Sequence, residues 1–405
     1  MNKGEGQRGK RPVSRAERMR RKRERLKRRR RIAIAILCGM VLLLILIIVG
    51  IAALVRHFAG GSDTGDKNQG QASDLTIEQQ GEEEQQTETE TEPVSITISA
   101  AGDCTLGTDE YFDPSTSLNA YYDSNGAAYF FQNVKSIFEA DDLTIVNMEG
   151  TLTEETARQD KTYAFKGPAE YTQILTEGDV EAANLANNHS HDYGDQSYTD
   201  TIAALDAAGI TNFGYDRTAV MDVNGVKVGL VGTYELADGM GCEEGMIANI
   251  KAVEEQGAQI VIVSFHWGLE KENYPTENQV NLAHSAIDNG ADLVLGHHPH
   301  VLEGIEVYNG KNIVYSLGNF CFGGNSNPDD KTTMIFQQTF AVNGAGEVTD
   351  GGINIIPCSI SSAASTNNYQ PTPLTGEAAA AVINRVASLS SVQNITWMDS
   401  YTGMR

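Results

Sequence analysis

Three of the eight histidines in this 405-residue chain fall within four residues, in Gly296-His297-His298-Pro299-His300, at the end of the largely apolar run Ala291–Leu295. Two further stretches are laid out alike. Ile260–Phe265 runs into His266-Trp267-Gly268, and Val180–Ala186 runs into Asn187-Asn188-His189-Ser190-His191-Asp192. Imidazole nitrogens together with amide or carboxylate oxygens form the donor set that Mn, Fe or Zn ions favour. Ligands drawn from separate stretches imply a centre assembled by folding, unlike a local zinc finger. Such a centre can clamp an anionic group and activate water.

An apolar run that stops at a histidine reads as a buried strand delivering that side chain to its carboxyl end, the edge where open α/β sheets gather their sites. Strands are expected over Val94–Ala101, Leu143–Asn147, Val180–Leu185, Val226–Gly232, Gln259–Phe265 and Asp292–Leu295, and then over Gly304–Tyr308, Asn312–Ser316, Met334–Val342 and Gly352–Ile356. Helices are expected over Ala127–Glu139, Ala169–Thr176, Gln196–Ala208, Ile247–Gln256, Glu277–Asn289 and Gly376–Ser390. Thr276-Glu277-Asn278-Gln279 has the spacing of a capping box. The alternation implies an α/β domain with a mostly parallel sheet. The closing strands, with their short connections, imply an antiparallel meander consistent with a second sheet. Gly102-Asp103-Cys104-Thr105-Leu106-Gly107 lacks the lysine of a nucleotide phosphate loop.

At successive strand ends stand Asp103, Glu149, the group Asn187-Asn188-His189, His266, and then His298 and His300. These are enough ligands for two adjacent ions, an arrangement that activates water for in-line attack. Each has a structural alternative. Asp103 could cap a helix, Asn187-Asn188 could form a turn, and His266 could be a satisfied core histidine. His284, on the Glu277–Asn289 helix, is expected to be a core histidine with nothing converging on it.

Charge divides the chain. Residues 1–31 hold 16 of the 30 Lys and Arg and 3 of the 54 Asp and Glu, a net of +13, which leaves 14 basic and 51 acidic residues, a net of −37. The basic run precedes residues 32–55, which carry no charge. That length crosses ~30 Å of hydrocarbon at ~1.5 Å per residue. A cleaved signal peptide is the alternative, but its apolar region is about 7–15 residues. The expectation is a basic cytoplasmic segment (1–31), an uncleaved transmembrane anchor (32–55), a disordered acidic linker (56–93) and an extracellular domain (94–405). The arginines then serve topology, with no nucleic-acid partner expected. Cys104, Cys242, Cys321 and Cys358 show no Cys-x-x-Cys pairing, so a zinc ribbon is not expected. Disulfide partners remain open, and Cys104 is expected to be structural.

The motifs Ala101–Gly107, Asn147-Met148-Glu149-Gly150, Asn184–His189, Asp192-Tyr193-Gly194, Phe265-His266-Trp267-Gly268, Gly296–His300 and Tyr315–Phe320 resemble, in order, those of the CapA family of bacterial poly-γ-glutamate capsule synthesis proteins. That family is similar in turn to calcineurin-like metallophosphoesterases. The resemblance implies a two-sheet αββα sandwich, preceded here by the one transmembrane helix. It also implies that Glu149 bridges two ions, that Asn188, His266 and His298 complete one site, and that Asp103 and His300 serve the other. His189 would be a general acid or orient the substrate, with Asp192 holding it. The metallophosphoesterase pattern begins Asp-x-His, whereas this chain has Asp103-Cys104-Thr105, and Asn147-x-Glu149 stands where Gly-Asp is usual. One tight and one weak divalent site are therefore expected. His297 fits no ligand position and is expected behind the ligands or exposed, and Asn319 and Glu306 are expected along the pocket.

Two functions follow from the resemblance. One is a membrane-anchored, metal-dependent hydrolase acting outside the cell on a phosphoester or a γ-linked glutamyl polymer. The other is a non-catalytic component that binds the capsule polymer or partners with capsule synthase and export subunits. A sensor ectodomain would need a further partner. A net charge of −37 repels a polyanion, so contact with polyglutamate needs bridging cations.

Overall fold

The computed structural model describes residues 93–390. The expected cytoplasmic segment, anchor and nearly all of the linker lie outside the described residues. No helix among the described residues is long and apolar enough to cross a membrane.

In chain order the strands are β1 Val94–Thr105, β2 Leu143–Met148, β3 Thr151–Leu152, β4 Lys166–Gly167, β5 Ala182–Asn184, β6 Thr211–Phe213, β7 Ala219–Val223, β8 Val226–Tyr234, β9 Ile260–His266, β10 Leu293–His297, β11 Ile305–Tyr308, β12 Lys311–Val314, β13 Asn319–Phe322, β14 Thr332–Val342, β15 Val348–Ser359 and β16 Thr372–Pro373. One sheet has the order β16-β15-β14-β1-β2-β5-β6, with β13 paired to β1. The other has the order β11-β12-β10-β9-β8-β7.

The central strands β2, β5, β9 and β10 are buried on both faces, and the period of two sorts their side chains into two layers. Ile260 and Ile262 of β9 join Ile98, Ile145 and Leu295 in an apolar layer between the sheets. Val261 and Val263 point the other way, onto Ile250 and Leu282 of the helices Glu243–Glu255 and Glu277–Asp288. On the opposite side, Val146 and Ala183 pack under Phe131, Leu175 and Leu205. The layers are therefore helix, sheet, sheet, helix. The capping box forms as spaced, with Gln279 N donating to Thr276 Oγ1 (3.3 Å) and Thr276 N to Gln279 Oε1 (2.9 Å).

Two expectations are corrected. The closing strands do not form the second sheet together. β11 and β12 close it, whereas β14 runs antiparallel beside β1, from Val94 opposite Val342 to Ala100 opposite Phe336. A strand's neighbour is chosen over hundreds of residues, and local periodicity carries no record of it. The expected Ala127–Glu139 helix is two short ones, Ala128–Phe131 and Lys135–Phe138. Asn133 and Val134, both weak helix formers, fall at the break.

Candidate metal centre

The carboxyl ends of β1, β2, β9 and β10, and the turn after β5, converge where the two sheets meet. Two glycines make the approach possible. A Cβ on Gly102 would lie 1.9 Å from Gly318 O, and one on Gly296 would lie 1.9 Å from Tyr315 O. Only glycine lets the strands close up immediately before Asp103 and before the histidine cluster. The cluster then turns sharply. His298 has φ 96° and His300 φ 58°, conformations that cost a residue with a Cβ about 1–3 kcal/mol each.

Glu149 sits at the centre with no solvent exposure. Its Oε1 lies 3.6 Å from His266 Nε2, 3.8 Å from His300 Nε2 and 3.9 Å from His189 Nε2. Asp103, also fully buried, has Oδ2 3.2 Å from His300 Nδ1, while Oδ1 accepts from Asn147 Nδ2 (2.8 Å). Asn188 Oδ1 is 2.8 Å from His266 Nε2, and the His298 ring is centred 4.7 Å from that of His266. Two groups of ligand atoms result, Glu149/His266/His298 and Asp103/Glu149/His300, with the atoms of each group within 4.8 Å of one another. Either group could hold a metal ion, and Glu149 is common to both.

The electrostatics fit a cation. Neither oxygen of Glu149 has a hydrogen-bond partner among the described residues, and neither does Nδ1 of His298. An unpaired buried carboxylate costs several kcal/mol, and burial pushes Glu149 up to about 8. Burial lowers His298 to about 4 and His266 well below its ordinary value, with neighbouring imidazoles adding to the effect. Both rings are therefore neutral at pH 7, the form that ligates. Burial also works against charge on His300, yet Glu149 and Asp103 beside it hold it up at about 9. Burial alone would raise Asp103, but the hydrogen bond and charge of His300 keep it low.

His189 faces Glu149 from the side. Its Nδ1 is 2.7 Å from Asp192 Oδ2, and Asp192 is fixed in turn by Phe165 N and by Lys161 Nζ at 2.7 Å from Oδ1. A carboxylate at Nδ1 assigns the proton to that nitrogen and leaves the Nε2 lone pair toward the centre. Burial lowers the pKa of His189, against the pull of Asp192. The ring packs on Phe165, with centroids 4.5 Å apart. A cavity of about 760 Å³ opens outward from His189, His300 and Asn319.

The structure brings Asp103, Glu149, Asn188, His189, Asp192, His266, His298 and His300 into this one region. Asn319 lines the cavity, its Oδ1 2.9 Å from His300 Nδ1. Glu306 does not line it. It pairs with His284 Nε2 at 3.1 Å and accepts from the Tyr315 hydroxyl on a different face. His284 is correspondingly not a core residue. It is partly exposed and stacks on Tyr308 with centroids 3.7 Å apart. His297 lies behind the ligands, buried, with Nδ1 3.7 Å from Asp103 Oδ1. Cys104 is buried, and the four cysteines of the described residues are free thiols.

Three positioning groups were not foreseen. Lys161 sits in the irregular stretch between β3 and β4, where no periodicity marks it, and its Nζ also donates to Asn188 O (2.8 Å). Asn147 joins Asp103 to His266, its Nδ2 lying 3.3 Å from His266 Nδ1. Asn184 Nδ2 donates to Asn147 Oδ1 (3.0 Å). The signal for both was an asparagine inside an otherwise apolar strand.

Residues 97–324, more than half of the chain, match the family described as bacterial capsule synthesis protein PGA_cap. The PGA biosynthesis protein CapA of Bacillus subtilis (strain 168) is 34% identical over 248 residues, covering 56% of this chain and 63% of that protein. The capsule biosynthesis protein CapA of Bacillus anthracis is 30% identical over 253 residues, covering 56% and 60%. The chain thus spans about three-fifths of the length of these relatives. A crystal structure of a hypothetical protein from Thermus thermophilus aligns over 65% of this chain and 98% of its own, at 16% identity and a TM-score of 0.40. The family match spans every strand end that contributes to the site, and the chain belongs to the bacterial capsule synthesis protein PGA_cap family.

Proposed function

We propose that this chain is a membrane-anchored component of poly-γ-glutamate capsule synthesis or export, whose extracellular domain carries a metal-dependent hydrolase-type site. The capsule role is supported by the family and by relatives whose names carry it. The anchor is the uncharged segment 32–55, with the basic residues 1–31 on the cytoplasmic side. The capsule polymer and the synthase and export subunits are the proposed partners.

The observation that carries the catalytic part is Glu149, fully buried, its oxygens without a hydrogen-bond partner among the described residues, and shared by the pair His266 and His298 and the pair Asp103 and His300. Glu149, Asn188, His266 and His298 would hold one divalent ion (Mn, Fe or Zn) tightly. Asp103, Glu149 and His300 would hold a second weakly, because Asp103 already bonds His300 and Asn147 and no second imidazole joins them. A bound ion supplies Lewis-acid polarisation and activates water. Asp192 and Lys161 fix the ring of His189 so that Nε2 is the atom that moves a proton between the attacking water and the leaving group. Phe165, packed on that ring, excludes water from its far side.

The test adds Mn²⁺ or Zn²⁺ to the purified full-length chain and assays aryl phosphodiesters and poly-γ-glutamate in parallel, with capsule formation scored for wild type and His189→Ala. Metal-dependent turnover lost in His189→Ala is the expected result. No turnover of either substrate, with both chains supporting capsule equally, leaves the non-catalytic component as the function.

A further inference from the structure

We propose that the groove leading out of the metal centre is a subsite for the apolar face of a neutral saccharide, so that the substrate has a sugar beside its reacting group. This rests on the proposed function only in taking His189 and His300 as the reacting end. The first observation is a track of aromatic rings. Phe165 packs on His189, and Phe322 lies 5.1 Å from His300, centroid to centroid. Beyond Phe165, Tyr163 follows at 6.3 Å with its ring within 6° of parallel, and Phe112 lies 6.0 Å from Tyr163. The inner rings Phe165 and Phe322 are nearly buried (4% and 7% exposed), and the outer end is open to solvent, with Tyr163 50% exposed and Tyr111, on the same wall of the cavity, 75%. Large aromatic surface left in water beside a cavity marks a binding face.

The second observation is the charge of the walls. Asp113, Glu270, Asp329 and Asp330 line the groove, and Lys271 is the one lysine or arginine lining it among the described residues. Arg385 neutralises Asp330 (2.7 Å) from outside, which leaves three carboxylates against one ammonium on the walls away from His300 and the metal ligands. Aromatic faces are themselves electronegative. A glutamyl polymer with a carboxylate on every residue would be repelled by both features wherever no cation bridges it, so its place is at the metal ligands and not along these outer walls. A pyranose matches both: its C–H face, polarised positive by the ring oxygens, lies on the aromatic faces, and its hydroxyls donate to the carboxylates. The amides of Asn325 and Asn327, also on the wall, suit the remaining hydroxyls. An oligoamine answers the carboxylates but not the length of the track. The one aromatic face here that meets a cation, that of Tyr111, already carries Arg158 at 4.6 Å, itself paired to Asp109.

The test uses the purified full-length chain and saturation-transfer difference NMR, with tetra-N-acetylchitotetraose as the probe and a γ-glutamate oligomer and pentalysine as competitors. Transfer to the saccharide is expected, in the presence of a chelator as well as of Mn²⁺. Tyr163→Ala and Tyr111→Ala, at exposed positions that do not support the core, should each weaken it roughly 3- to 10-fold. No transfer to the saccharide, transfer indifferent to both tyrosines, or tighter binding of either competitor overturns the proposal. Glu149→Gln separates it from the catalytic reading. Tyrosine-dependent saccharide binding that survives in this variant upholds the subsite when hydrolysis is lost with Glu149. Saccharide binding by a wild-type chain that hydrolyses nothing upholds the subsite and removes the hydrolase.

Discussion

β2 and β5 each begin beside a carboxylate, β2 also ends at one, and the two kinds of position differ. At the amino ends stand Asp141 and Glu181, half-buried. Thr144 N donates to Glu181 Oε2 (2.7 Å) and Thr144 Oγ1 to Asp141 Oδ2 (2.8 Å). At the carboxyl end of β2 stands Glu149, buried completely, its carboxyl oxygens without a hydrogen-bond partner among the described residues. Burial raises all three pKa values, to about 6 for Asp141, 7 for Glu181 and 8 for Glu149. A perturbed carboxylate is therefore no mark of function by itself. The first pair ties down backbone and hydroxyl groups at the strand starts. Glu149 has no such task, and the groups around it are imidazoles.

The sharpest way to break this contrast is Glu149→Gln. Metal affinity should fall by at least ~100-fold, beyond the 10–100-fold typical of groups standing behind ligands. The stability of the metal-free chain should be unchanged or higher, because a buried carboxyl group whose oxygens have no partner is replaced by a neutral amide that never ionises. Metal analysis and thermal melts in chelator read the two effects, and undiminished metal content would place Glu149 with the structural carboxylates. Next in size is the split between the two ligand groups. His266→Ala should abolish the tight ion, whereas His300→Ala should leave it within ~10-fold. Metal titrations that give wild type two equally tight ions, or equal losses in both variants, would erase the asymmetry.

The smallest effect belongs to the other end. Folded Glu181 keeps its proton up to about pH 7, whereas an unfolded glutamate releases it near ~4.3. Its contribution to stability is full below the lower value and is lost as pH rises through about 7. Glu181→Gln keeps an acceptor for Thr144 N and removes the titration. Relative to that variant, wild type should lose roughly 1–2 kcal/mol between pH 5 and 8, discounted for partial exposure. Denaturant melts of both chains across that range measure it, and parallel curves would refute the assignment.

How much of this the sequence carries depends on distance along the chain. Strands such as Ile260–His266 announce themselves by composition, and the residue that ends each one is placed by the strand itself. The ends of β1, β2, β9 and β10 could thus be read one at a time. The partition of the strands into sheets could not, because β14 pairs with β1 across more than 200 residues. Lys161 was hidden for the same reason, since an irregular loop has no period and its place over Asp192 exists only after folding. Glu306 shows the opposite failure. Its position in a strand was read correctly, but a strand position does not say which side chain will claim a carboxylate, and His284 claims it.

The left-handed backbone at His298 and His300 has a consequence for descent. Glycine or asparagine would sit in those conformations with less strain, so a lineage freed from the need for a metal could become more stable by a single substitution at 298, and at 300 once Asp103, which His300 contacts, has also been replaced. Histidine at both positions is thus held against the drift of stability. In a related sequence, loss of either one would be an early and legible trace of a centre going silent.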